Sequence, residues 1–318
     1  NNFALHGVLG AAAVTRRGLV VSAIEHKSIL ESARELCRAD GAVALRNPGV
    51  LTIVPVDRDG RVDLAALAAL VTDETAVVSV MAANNEIGVL QSLADVAEIA
   101  HAHGALLHVD AAQAIGKTPI DVVAMGIDLL SLTAHKLYGP KGCGALFIRR
   151  RLELTPLISG GGHERGLRAG TLNVPGIVGL GAACALARAD MAEESVRTAR
   201  LRDRLLAGLQ AGLDGVTVNG SLAYRLPNNL HVSFADVDGE SLLIGIGDIA
   251  VSSGSACSSA SATPSHVLSA ISGGGPVPEA SIRFGLGRFT TEADIDYAIE
   301  KFTTVVQHLR AMTVGGSR

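Results

Sequence analysis

The chain has 318 residues, 48% of them apolar and 18% charged, with a formal net charge of −4. That balance supports a large buried core and excludes a disordered chain or one that coats nucleic acid through a broad basic surface. Of the 27 basic residues, 22 are arginine and 5 are lysine, so a lysine in an apolar stretch is informative. Cys37, Cys143, Cys184 and Cys257 are widely spaced and include no C-x-x-C pair. The expectation is free thiols in a reducing, cytoplasmic setting, with neither a disulfide framework nor a metal site. No apolar run approaches the length of a membrane span, and no signal peptide is visible.

In chain order, residues 19–24 read as a strand and 28–39 as a helix closed by Gly41. Residues 75–81 form a Val-rich strand. A helix over 92–103 comes next, with Ser92 as N-cap, Asp95 three residues on and Gly104 as its stop. Residues 105–109, 127–132 and 143–148 read as further buried strands. Strands separated by helices imply an α/β fold with a large, mainly parallel sheet covered on both faces. Residues 159–170 form a long polar loop. Near Asp190 the texture changes: a charged helix over 190–211 leads into a smaller α+β region. Its strands are expected at 229–234, 249–252 and 281–286, and its helices at 240–246 and 292–310. Two domains, 1–189 and 190–318, are the resulting expectation. Residues 252–265 are rich in Ser, Ala and Gly, which predicts a mobile loop around Cys257.

Ligands of open α/β sheets sit beyond the carboxyl ends of the strands, so the residues just past each strand matter most. The first strand leads into Glu25-His26, the second into Ala82-Ala83-Asn84-Asn85-Glu86-Ile87-Gly88. The next delivers Asp110 and, three residues on, Gln113; the one after delivers Thr133-Ala134-His135-Lys136. Taken singly each has a structural explanation: Asp110 as a helix cap, His26 and His135 as satisfied loop or core histidines, Lys136 as a solvated loop lysine. Together at successive strand ends they are costly to desolvate unless a ligand uses them.

The set suits pyridoxal phosphate, which needs an amine to hold its aldehyde carbon, an acid beside its ring nitrogen and donors for its phosphate. Lys136 supplies the amine and Asp110 the acid. Gln113 is placed for the phenolic oxygen, and Thr133 and His135 for the phosphate. A nucleotide-binding oxidoreductase is poorly supported, because Gly160-Gly161-Gly162-His163 comes after no clear strand and no G-x-G-x-x-G opens a helix.

Six segments then carry a family resemblance: AANNEIG (82–88), HVDAAQ (108–113), AHKLYGPKG (134–142), RAGTL (168–172), VSSGSACSSASA (251–262) and SIRFGLGRFTT (281–291). In order and over essentially the whole chain, they resemble the cysteine desulfurases of the class V aminotransferase family, fold-type I pyridoxal-phosphate enzymes. The resemblance implies that His26 stacks on the cofactor ring and that Asn85 lies beside cofactor and substrate carboxylate. It implies that Thr171 reaches the phosphate of a partner subunit in an obligate homodimer, and that Arg283 clamps the substrate carboxylate. Cys257 matches the family's sulfur-accepting nucleophile, on a loop that resembles those carrying sulfur to an acceptor protein. Cys37, Cys143 and Cys184 read as small core residues.

The implied reaction converts L-cysteine to L-alanine, with Lys136 moving the Cα proton, Cys257 taking the sulfur as a persulfide and His26 a candidate acceptor of the substrate's thiol proton. A selenocysteine lyase or a class V aminotransferase would use the same fold. The chain begins on Asn1-Asn2-Phe3, just after the point where the family carries a phosphate-cradling Gly-Ala-Thr-type turn. Loss of that turn would weaken cofactor binding, and a catalytically idle scaffold is the alternative it raises. The sulfur's destination (iron–sulfur clusters, tRNA or DNA) is not encoded in these residues. Neither nucleic acid nor a membrane is an expected partner.

Overall fold

The computed structural model describes residues 1–38, 48–253 and 264–315; Cys257 and most of its loop lie outside them. The chain divides into two compact units. The first holds Asn1–Asp57, Arg61–Asn84 and Leu90–Asp190; the second holds Arg58–Gly60, Asn85–Val89 and Met191–Arg318.

In the first unit, helix α1 (Asn2–Ala11) is followed by β1 (Gly18–Ser22), α2 (Lys27–Leu36), β2 (Val50–Val54), α3 (Leu64–Leu70) and β3 (Thr75–Ser79). Then come α4 (Leu93–Ala102), β4 (Leu106–Asp110), β5 (Leu129–Thr133), β6 (Gly144–Ile148) and the long α5 (Val174–Gly212), which runs on past this unit. The strands form one sheet in the order β2-β1-β3-β4-β5-β6. Its first five members are parallel and β6 is antiparallel to β5. All five residues of β3 are buried, as are four of five in β1 and β4, the pattern of strands covered on both faces. Leu5, Leu9, Leu19, Val21, Ile29, Leu36 and Val77 form part of the core beneath α1 and α2.

Three elements here went unread in the sequence. α1 is apolar on nearly every face and so lacks a period. β2 is a largely exposed edge strand, and α3 is a short run of Leu and Ala. β6, expected to be buried, is a half-exposed edge strand. Ser92 does stand at the N-cap of α4 but makes no capping bond; its hydroxyl is taken by the Arg61 guanidinium. Gly104 ends the helix with φ +65°, a conformation that suits glycine.

α5 is 39 residues long and begins well before the expected start at Asp190. The Gly- and Ala-rich stretch ahead of that point has no charge period, yet it continues the helix. By length and composition this helix can cross a membrane, with an 18-residue window of mean hydropathy 1.3, which corrects the expectation that no segment reaches that length. Little of that window is covered: Val174, Ile177, Val178 and Leu186 are exposed.

The second unit holds β7 (Val216–Val218), β8 (Asn229–Phe234), α6 (Gly239–Gly245), β9 (Ser252–Ser253), α7 (His266–Ile271), β10 (Ser281–Gly285) and α8 (Glu292–Gly315). Its antiparallel sheet has the order β7-β8-β10-β9. The core packs α8 and the later turns of α5 on this sheet through Leu205, Leu209, Val232, Ile282, Phe302 and Val306. Phe302 is fully buried, with its ring centroid 4.8 Å from that of Phe284 and 5.8 Å from that of Phe234.

Removing that ring leaves a cavity that two aromatic neighbours cannot fill. Phe302→Ala is expected to destabilise the protein by about 3–5 kcal/mol, read as a shift of the denaturant midpoint; a loss under about 1 kcal/mol would show that this cluster is not a core.

Candidate active site

The first unit places its polar groups where its strands stop. Asp110 is the last residue of β4 and pairs in register with Ser131 on β5; Thr133 ends β5, and a single 3₁₀ turn (Ala134–Leu137) carries His135 and Lys136. Tyr138 closes that turn in the left-handed region, φ 62°. Asp110 and the Thr133–Lys136 segment therefore lie at the same end of two hydrogen-bonded neighbours. Lys136 is half-buried and His135 is exposed. Thr133 Oγ1 lies 2.8 Å from His135 Nδ1, which joins the two expected phosphate donors into one pair.

Asp110 is 5% exposed. Its Oδ1 accepts the Ala112 N–H at 2.9 Å, and its Oδ2 accepts Asn1 Nδ2 at 2.7 Å. Each of its two oxygens thus holds one N–H donor. Gln113, on the turn after β4, is half-buried and accepts Lys117 Nζ at 3.4 Å through Oε1.

His26 lies just past β1 and is the N-cap of α2, where its Nδ1 accepts the Ser28 N–H at 3.1 Å and lies 2.9 Å from Ser28 Oγ. With Nδ1 held as an acceptor, the neutral ring carries its proton on Nε2. In this geometry His26 is a donor, and taking a proton from a substrate thiol would mean giving up the cap.

The segment 85–89 belongs to the second unit because its backbone is bound there. Arg283 on β10 donates to the Asn85 carbonyl through Nη1 at 2.6 Å and to Ser252 Oγ through Nη2 at 3.0 Å. Asn229 Nδ2 donates to the Glu86 carbonyl at 3.0 Å, and the Leu226 N–H to the Gly88 carbonyl at 2.9 Å. Gly88 has φ +71°, and a Cβ there would lie 2.4 Å from Asn229 Cγ, so both backbone and space demand glycine. Arg283 pairs in register with the fully buried His231. Burial first, then the charges of Arg225 and Arg283, push that imidazole down to about 3, so it stays neutral beside the guanidinium. The Arg283 guanidinium and the Asn85 carbonyl are thus in direct contact.

Thr171 is exposed in the stretch before α5. Cys37, Cys143 and Cys184 are free thiols. Burial pushes Cys37 up to about 11, with the Arg17 charge opposing, so it is no nucleophile at neutral pH. Among the described residues, no group of three or more His, Cys, Asp or Glu is placed to hold a metal.

Sequence reasoning gave no part to Asn1 or Ser28. Asn1 donates from Nδ2 to both Ser28 Oγ and Asp110 at 2.7 Å, and its buried Oδ1 finds no hydrogen-bond partner among the described residues. Nothing in the local pattern of residues 1 and 28 marks them, since they converge on Asp110 only through the sheet. A buried acid bound by two N–H donors, an amine on the adjoining strand end, a hydroxyl–imidazole pair and an orphaned amide oxygen fit pyridoxal phosphate.

The chain is 49% identical over 315 residues to the cysteine desulfurase IscS of Anaeromyxobacter sp. (strain K), covering 98% of this chain and 76% of that one. It is 47% identical to the mitochondrial cysteine desulfurase of Arabidopsis thaliana, covering 98% and 68%. A solved NifS-like protein superimposes with a TM-score of 0.86 at 36% identity, covering 97% of this chain and 80% of that one. With its residues 1–298 matching the aminotransferase class-V model, the chain belongs to the aminotransferase class-V family.

Proposed function

We infer that this protein is a cysteine desulfurase that uses pyridoxal phosphate to convert L-cysteine to L-alanine and passes the sulfur, through a persulfide on Cys257, to an acceptor protein. The observation that carries the reading is the placement of buried Asp110 and the Lys136 turn at the same end of two adjacent strands, in a chain 47–49% identical to proteins that bear that name.

The first unit would hold the cofactor. Lys136 would hold its aldehyde carbon, Asp110 its ring nitrogen and Gln113 its phenolic oxygen, Thr133 and His135 would hold its phosphate, and His26 would cover the ring. Bound there, the cofactor supplies an electron sink that acidifies the Cα proton of an amino acid. Once the substrate's amine has displaced it, the freed Lys136 amine would take that proton and later return one. The Arg283 guanidinium, with Asn85 beside it, holds the substrate carboxylate, a match of planar fork to planar anion. The Cys257 thiolate attacks the sulfur of cysteine; the Cβ–S bond breaks, Cβ takes up a proton, and the products are alanine and an enzyme persulfide. No external oxidant or reductant is required, because the electron pair of the broken Cβ–S bond stays with Cβ, which is reduced and protonated as the sulfur is oxidised to the persulfide level. The setting implied is an intracellular one with reduced thiols.

A homodimer completes the reading. The exposed apolar residues that open α5, with Leu172 just ahead of them, suit the same surface on a second copy, and Thr171 lies at its edge. A contiguous apolar face with no cover in the monomer is the mark of such an interface.

Borohydride reduction in the presence of pyridoxal phosphate should attach the pyridoxyl group to Lys136, and Lys136→Ala should abolish labelling with a stability change of no more than about 1 kcal/mol. Label on Lys141 instead would overturn the assignment.

Cys257→Ala should keep cofactor and substrate binding and lose alanine formation. Arg283→Ala should raise the KM for cysteine by roughly 10–100-fold, the worth of a charge-assisted contact of about 1.5–3 kcal/mol. Near-normal persulfide in the Cys257 variant would place the acceptor elsewhere.

Sedimentation should give a dimer, and Val178→Glu should split it and lower activity through the loss of Thr171 from the neighbour's site. A fully active monomer would contradict this.

A further inference from the structure

Glu25 is fully buried, yet no step above uses it. It lies just past β1, and its Oε1 accepts the Met81 N–H at 2.5 Å just beyond β3. The next amide, that of Ala82, donates to the Asp110 carbonyl at 2.9 Å, and Asn84 Nδ2 donates back to the Ile24 carbonyl at 2.9 Å. The ends of β1, β3 and β4 are thereby stitched together, with two carboxyl groups inside the seam. The two have different surroundings. Asp110 receives N–H groups from Asn1 and Ala112, one on each oxygen, whereas Glu25 has no exposed surface at all. Burial raises the Glu25 carboxyl well above the usual range and the charge of Asp110 raises it further, against the Met81 N–H, which lowers it. Other titratable groups of this seam are His108 on β4 and His26, next in the chain at α2. Burial holds His108 down to about 3, against the charge of Asp110, so it supplies no cation to offset a second negative charge.

We propose that Glu25 is a positioning residue: a neutral carboxylic acid that ties the end of β1 to the end of β3 and leaves Asp110 as the only charged carboxyl of the pair. Two carboxylates in one desolvated space repel each other, and dividing them into one acid and one anion removes that cost. The value of the division to the cofactor, an undivided negative charge at the ring nitrogen, rests on the reading of Asp110 given above.

The consequence for stability has a definite sign. A carboxyl whose folded pKa lies above its unfolded value of about 4.3 binds its proton more tightly when folded. Stability is therefore highest below that value and falls as pH rises toward the folded pKa. Glu25→Gln keeps the shape and removes the titration. The difference in melting temperature between Glu25→Gln and wild type should therefore move in favour of the variant as pH is raised from about 4 to 8.

The full chain is tested first without added cofactor. The infrared spectrum of the wild type at neutral pH should contain a protonated-carboxyl carbonyl band that Glu25→Gln lacks. With pyridoxal phosphate added, Glu25→Gln should bind it within about threefold of wild type, and Glu25→Ala, which loses the tie to Met81, about 10-fold or more weakly, the effect of a buried donor left unpaired. Absence of the infrared band, or a Glu25→Gln variant that loses ground to wild type as pH rises, overturns the proposal. A band that is present, with cofactor binding indifferent to Asp110→Asn, would instead overturn the reading of the cofactor site and leave the protonation of Glu25 standing.

Discussion

Parallel strands covered on both faces leave no room for a charged side chain along their length, because each would be stripped of water without a partner. β1, β3 and β4 obey this constraint: their interiors are Leu, Val, Ala and small hydroxyl residues, with His108 admitted between Ser79 Oγ at 2.8 Å and Ser131 Oγ at 2.9 Å. Polar chemistry is confined to the residues just after each strand. Since the first five strands run in one direction, those residues gather at one edge. His26, Asp110, Thr133, His135 and Lys136 all stand at that edge for that reason.

The same constraint accounts for the hydrogen-bond economy of the edge. Nearly every group there is bound to a backbone amide or a second side chain: His26 to the Ser28 amide, Asp110 to Ala112 and Asn1, Thr133 to His135. Such anchoring costs conformational freedom once, during folding, and leaves the groups oriented for a ligand. The second unit obeys the same logic with an antiparallel sheet, where Arg283 is fixed by one backbone carbonyl and one hydroxyl and faces a histidine kept neutral by burial.

Much of this was legible beforehand. Strands rich in Val and Leu, interrupted by Gly-stopped helices, were read to within a few residues over residues 18–22, 75–79, 106–110, 129–133 and 229–234. The polar residues after them came directly, because alternation of apolar strand and polar terminus is a local pattern. Elements without such a pattern escaped: the uniformly apolar α1, the exposed β2, the short α3, and the first half of α5, whose Gly and Ala show no amphipathic face.

What the amino-acid sequence determined alone was which side chains stand at strand ends, since that depends on hydrophobic runs and the glycines that stop helices. Which of those side chains meet was decided by tertiary structure. Sheet order makes β4 and β5 neighbours and so brings Asp110 and the Lys136 turn to the ends of adjoining strands. Nothing in residues 1, 25 and 28 taken locally shows that Asn1 and Ser28 share a hydrogen bond beside Asp110, or that Glu25 is sealed from water near the same carboxylate. The assignment of segment 85–89 to the second unit likewise came from its carbonyls, which accept from Arg283, Asn229 and Leu226. Burial and charge act through space, and a one-dimensional pattern carries neither until the strands are put in order.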